Sequence, residues 1–165
     1  MKTSSIHRRF VGPALLLCAG FAVLALPRVA AAARAAAADS VTAADLIQPL
    51  DLAPLLALPA ERRPLLLHVG FKTLYRSAHI SGSRYVGPDS KPEGVRALRA
   101  ALKPVPRDRP VVLYCGCCPW TDCPNVRPAF RAARRMGFKN VRVLYFAKTL
   151  RVNALDQGLP ESQGD

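Results

Sequence analysis

The stretch VVLYCGCCPWTDCPNVRPAFRAARRMGF, residues 111–138, reads as a strand, a cysteine-rich loop and a helix in that order. Pro110 opens VVLYC (111–115), a short β-rich apolar run of the kind a buried strand carries. The helix begins near Asn125 and continues through PAFRAARRMGF, with Pro128 in the first turn, where a missing N–H costs little, and Gly137 as the stop. Between them, Cys115, Cys117, Cys118 and Cys123 fall within nine positions. Backbone N–H groups at a helix start carry partial positive charge and stabilise an anion. A thiolate there has a lowered pKa and is a nucleophile near neutral pH. Cys115 ends the strand and is held most rigidly, so it is the leading nucleophile.

Outward from this segment, PLLLHVG (64–70) reads as a second buried strand and Arg84 to Val86 as a third, short one after a Gly/Ser turn. GVRALRAAL (94–102) has helical spacing and is ended by KPVPRDRP (103–110). VRVLYF (141–146) is another strand, and the tail to Gly158 holds a last short helix. AADLIQPLDLAPLLAL (43–58) suggests one short helix or two broken turns, limited by Pro49 and Pro54. Strands alternating with helices predict an α/β layer fold on a mainly parallel sheet, in a single domain.

The N-terminus reads as an address. MKTSSIHRRF is a basic lead, VGPALLLCAGFAVLAL an apolar core containing Cys18, and RVAAAARAAAADS offers small-x-small cleavage sites near Ala32 or after Ala38. This is the pattern of a secretory signal peptide; the apolar run is short for an uncleaved anchor. The expectation is a signal over 1–38 and a domain over 39–165 that works in the periplasm or is secreted, with no stable membrane insertion. Residues 1–38 hold five basic residues and no acid, leaving 19 basic against 11 acidic residues, a net of +8, in the remainder. That balance draws small anions inward. The basic residues are dispersed and aromatics make up only 7% of the chain, which argues against nucleic-acid binding.

Three readings of the cysteine loop stand side by side. A reactive thiol is one. A structural disulfide, such as Cys117 or Cys118 to Cys123, is another, if the Cα atoms approach within about 4.4–6.8 Å. Zinc is the third, strained by drawing four ligands from nine residues; the reading adopted assigns no metal and no cofactor. Cys115-Gly-Cys-Cys118 is also a C-x-x-C, the spacing of thiol–disulfide oxidoreductases. A non-catalytic module holding copper, zinc or a partner is a further alternative. No cysteine of the loop is followed by arginine six residues on, which removes a phosphatase.

The chain resembles the rhodanese-like family over about residues 44–160. LLLHVG is similar to the family's first core strand with its Asp-Val-Arg ending, and AHISGS to its Gly-His-Ile-Pro-Gly-Ala turn. VVLYC resembles the strand that delivers the catalytic cysteine, MGFKNVRVL the Gly-Phe-x-x-Val segment, and Gly158-Leu159-Pro160 the closing Gly-x-Pro. The resemblance implies a three-layer fold with helices on both faces of the sheet, and a sulfurtransferase in which Cys115 becomes a persulfide. A small anionic sulfur donor and a thiol acceptor would be its partners. Gly116, Cys117, Cys118, Pro119 and Trp120 would form the substrate-binding loop, with Cys118 or Cys123 as a resolving or disulfide thiol. The departures are plain. Trp120 stands where the family's loop carries arginine, and His68 and Gly70 replace the Asp and Arg of the strand ending. Arg127, or else Arg76 or Arg84, is then the candidate anion binder. His79 reads as a locally bonded turn residue, and His68 as either structural or functional.

Overall fold

The computed structural model describes residues 40–165; the segment read as a signal peptide and Cys18 lie outside the described residues. The central sheet has five strands, β1 (Leu46–Ile47), β2 (Leu65–His68), β4 (Arg84–Tyr85), β5 (Val111–Tyr114) and β6 (Val141–Leu144), in the order β1-β6-β5-β2-β4. Every pairing within it is parallel, with β5 at the centre between β2 and β6. β3 (His79–Ile80) and β7 (Glu161–Ser162) form a separate antiparallel pair.

The period of two along a strand sends alternate side chains to opposite faces. On β5, Val111 and Leu113 join one apolar cluster, while Val112 and Tyr114 join the other. Strands buried on both sides read as unbroken apolar runs, which explains why VVLY and LLLH lack alternation. The first cluster is covered by α3 (Pro92–Leu102) through Leu98 and Leu102 and by α4 (Val126–Arg135) through Ala129, Phe130 and Ala133. The second lies under α1 (Pro49–Leu56) through Leu52 and under a one-turn π-helix (Arg151–Leu155) through Ala154 and Leu155. The result is the expected α/β arrangement in three layers, helices on both faces of a parallel sheet.

α4 stops for an identifiable reason. Gly137 takes φ +90°, its N–H bonds the Arg134 carbonyl at 3.0 Å, and the Phe138 N–H reaches back to Ala133 at 3.3 Å. This 6→1 and 5→2 pair satisfies the last carbonyls of the helix and needs the left-handed conformation that glycine adopts freely.

Three features depart from the sequence reading. Residues 43–58 contain a 3₁₀ turn (Ala43–Asp45) and β1 before α1; Pro49 opens that helix, and Pro54, expected to limit it, lies inside it. A short helix, α2 (Lys72–Ser77), follows β2 where no helical period was visible in six residues. The β3–β7 pair joins segments 82 residues apart, which no local pattern encodes. Among the described residues, no helix is long and apolar enough to cross a membrane.

Candidate functional site

β2 and β5 run side by side, with His68 opposite Tyr114, so both strands deliver their next residues to the same edge. The Val69 N–H bonds the Tyr114 carbonyl at 2.8 Å, which extends the register past the strand ends and sets Gly70 beside Cys115. A Cβ on Gly70 would lie 2.7 Å from the Cys115 sulfur and 2.9 Å from its carbonyl oxygen. The glycine at the position where the family carries arginine is therefore a seat for the sulfur. After Cys115 the chain turns at Gly116, whose φ of +91° disfavours any side chain.

The four loop thiols are all free and gather in space. Cys115 Sγ lies 3.3 Å from Cys117 Sγ, and Cys117 Sγ lies 3.0 Å from Cys118 Sγ. The sulfurs of Cys115, Cys117 and Cys123 are mutually within 4.8 Å. Cys115 and Cys123 are buried, at 2% and 3% exposure, whereas Cys117, Cys118, Pro119 and Trp120 are half-buried.

Asn125, fully buried, ties the cluster to the rest of the fold. Its Oδ1 accepts the Ser90 N–H at 2.9 Å, and its Nδ2 donates to Cys115 Sγ at 3.4 Å. As the N-cap of α4 it makes no capping bond, because both ends of its amide are already used. The sequence placed the helix start near Asn125 but held no signal for its contact with the cysteine.

The electrostatics correct one expectation. The thiol with the lowered pKa is Cys123, held at about 6 by its interaction with the Cys115 thiol and by the Asn125 and Val126 N–H groups, against the opposing effect of burial. Cys115 is pushed up, first by its proton engaging Cys123, then by burial and by Cys117. Cys118 is raised to about 12 by burial and by its contact with Cys117. The positive helix start acts on Cys123, two residues before the N-cap, and the strand-end cysteine is left as the proton donor.

A cavity of about 140 Å³ adjoins Cys115 and Gly116, walled by Leu74, Leu150 and Leu155 with Ser77 and Thr149 at its polar points. His68 lines it as well. Its Nδ1 accepts the Gly70 N–H at 3.3 Å, so the proton sits on Nε2, which has no partner. Burial lowers its pKa to about 4, and it is neutral at physiological pH. His79, by contrast, bonds the Tyr75 carbonyl at 2.8 Å and stacks on the Tyr75 ring at 3.8 Å, a local structural role.

The candidate anion binders separate. Arg127 is exposed and donates to the Thr121 carbonyl at 3.3 Å, across the back of the loop. Arg76 is paired with Asp165 at 2.7 Å, and Arg84 is exposed on the outer strand β4. The arginine that lines the cavity is Arg151, which sequence reasoning missed; it is paired with Glu161 at 2.6 Å. Its distance of 36 positions from Cys115 left no sequence signal.

Among curated proteins, none matches this sequence. Of solved structures, the crystal structure of the Alr3790 protein from Anabaena sp. superposes with a TM-score of 0.54 at 19% identity, over 72% of this chain and 92% of that one. The solution structure of the rhodanese-like domain from the same Anabaena protein gives 0.52 at 17% identity, over 72% and 79%. These likenesses establish the fold. The family model described as Rhodanese-like domain matches residues 51–145, more than half of the sequence, from within α1 to just past β6, and the chain belongs to the rhodanese-like domain family.

Proposed function

We propose that this rhodanese-like chain is an exported sulfurtransferase that carries sulfane sulfur as a persulfide on Cys115. The observation that carries the reading is the position of Cys115. It directly follows the central strand, borders the cavity, and directs its proton to a neighbouring thiol with a lowered pKa. Cys123 accepts that proton as Cys115 attacks the outer sulfur of a small anionic donor such as thiosulfate. The donor's S–S bond breaks, sulfite leaves with the electron pair, and the new S–S bond is the persulfide. A thiolate acceptor then takes the terminal sulfur and returns Cys115 as thiolate. Asn125 Nδ2 stabilises the charge on Cys115 before and after transfer. The net charge of +8 outside residues 1–38 favours an anionic donor, and the N-terminal signal pattern supports work in the periplasm or outside the cell.

The test is mass spectrometry of reduced protein after thiosulfate or a small organic persulfide. The expected product is one sulfur atom heavier at Cys115 and absent from Cys115→Ser. Equal labelling of wild type and Cys115→Ser overturns the reading.

A second reading rests on the 3.3 Å separation of Cys115 and Cys117. In a thiol–disulfide cycle the partner of Cys115 is Cys117, not the Cys118 of the C-x-x-C, because Cys118 contacts Cys117 instead. The same pair can close a sulfur cycle. Cys117 thiolate attacks the inner sulfur of the Cys115 persulfide, hydrosulfide leaves, and a Cys115–Cys117 disulfide remains for a dithiol to reduce.

A further inference from the structure

Three sulfur atoms converge before the start of α4 with no oxygen or nitrogen ligand in the group. Those of Cys115, Cys117 and Cys123 lie within 4.8 Å of one another, and two of the three residues are almost wholly buried. An ion bonded at about 2.3 Å to three sulfurs in one plane holds them about 4 Å apart. The pair now at 3.3 Å must open slightly to reach that spacing, and no pair is more than 4.8 Å apart. Cys118 stands at the edge, touching Cys117 at 3.0 Å and lying outside the triad. Three thiolates are a soft donor set. Monovalent copper is satisfied by three such ligands, whereas zinc fills four positions. The Asn125 amide on Cys115 and the N–H groups at the start of α4 offset the negative charge of the assembled site.

We propose that Cys115, Cys117 and Cys123 form a three-coordinate thiolate site for Cu(I). Loading exchanges thiol protons for the ion, and copper stays monovalent throughout. The site goes beyond the sulfur-transfer reading, and an ion on Cys115 excludes a persulfide there.

The test uses the full-length chain with Cys18→Ser, reduced and anaerobic, titrated with Cu(I) against a chromogenic chelator. The expected result is one copper per chain, with X-ray absorption showing sulfur neighbours alone, three of them at about 2.3 Å. Cys123→Ser weakens binding by about 100-fold or more, and Cys118→Ser keeps the parent affinity. Where circular dichroism shows Cys123→Ser unfolded, Cys117→Ser carries the same expectation at a half-exposed position. Failure to take up copper overturns the proposal. So does a four-sulfur site lost in Cys118→Ser, or Zn(II) displacing Cu(I) at equal concentration. Sulfur transfer is measured separately on metal-free protein, so each reading fails on its own evidence.

Discussion

Asn125 Nδ2 donates to Cys115 Sγ at 3.4 Å while its Oδ1 holds the Ser90 N–H at 2.9 Å, so one buried amide couples the sulfur to the loop after β4. Asn125→Ala removes both bonds and leaves the Ser90 N–H without its partner. The expected cost is about 1–3 kcal/mol of stability, together with slower persulfide formation on Cys115. Denaturant melts and timed mass spectrometry measure the two effects. An unchanged labelling rate in a folded variant removes Asn125 from the chemistry.

Gly70→Ala places a methyl group 2.7 Å from the Cys115 sulfur. The backbone cannot recede, because Val69 is tied to Tyr114, so the sulfur must move. Overpacking of this kind costs about 1–3 kcal/mol, and alkylation of Cys115 is expected to change in rate. A variant with wild-type stability and reactivity shows that the seat is less tight than described.

If the Cys115–Cys117 pair closes a sulfur cycle, Cys117→Ser blocks disulfide formation and traps the persulfide. Intact mass after a single addition of donor is then expected to show more persulfide than in wild type and less released hydrosulfide. Equal yields of both species argue that Cys117 takes no part.

Asp89 is 1% exposed with both carboxylate oxygens unpartnered, and burial raises its pKa from 3.8 to about 7. Between these values the folded protein holds a proton that the unfolded chain has released. Stability therefore falls as pH rises through that window and levels off above about 7. Asp89→Asn removes the dependence and is expected to gain about 2–4 kcal/mol over wild type above neutrality, and little at pH 4. Thermal melts across pH check this; parallel curves for the two proteins would mean that Asp89 ionises freely in the fold.

Gly137→Ala forces an L side chain into φ +90° at the end of α4. The expected loss is about 1–2 kcal/mol, with no change in Cys115 labelling once both proteins are folded. The site is positioned by the start of this helix, and its end supplies only stability.

Much of the architecture was legible because it depends on local pattern. The apolar runs at 65–68 and 111–114, the Pro110 and Gly137 boundaries and the amphipathic 94–102 segment each report a strand or helix by period and breaker. β1 and α2 were not legible, since two and six residues are too short to show a period. For the site, strand-to-helix placement located the thiol cluster, but not which sulfur the helix start would favour. That depends on the loop carrying Cys123 to within reach of the Asn125 and Val126 N–H groups, a matter of three-dimensional path. Arg151 and Asp89 escaped for the same reason: one reaches the cavity, and the other is enclosed, through long-range packing.

The alternation along β5 has a consequence for how such a protein can diversify. Cys115 packs with the α3–α4 layer, whereas Leu150 and Leu155 belong to the opposite layer, and the three meet at the cavity just past the end of the strand. Sulfur reactivity and access to it are thus written in separate parts of the chain, residues 115–125 and 149–155. Substitutions at Thr149 or Leu155 retune what reaches the sulfur while leaving the thiols untouched, and changes in the cysteine loop alter the chemistry behind an unaltered doorway.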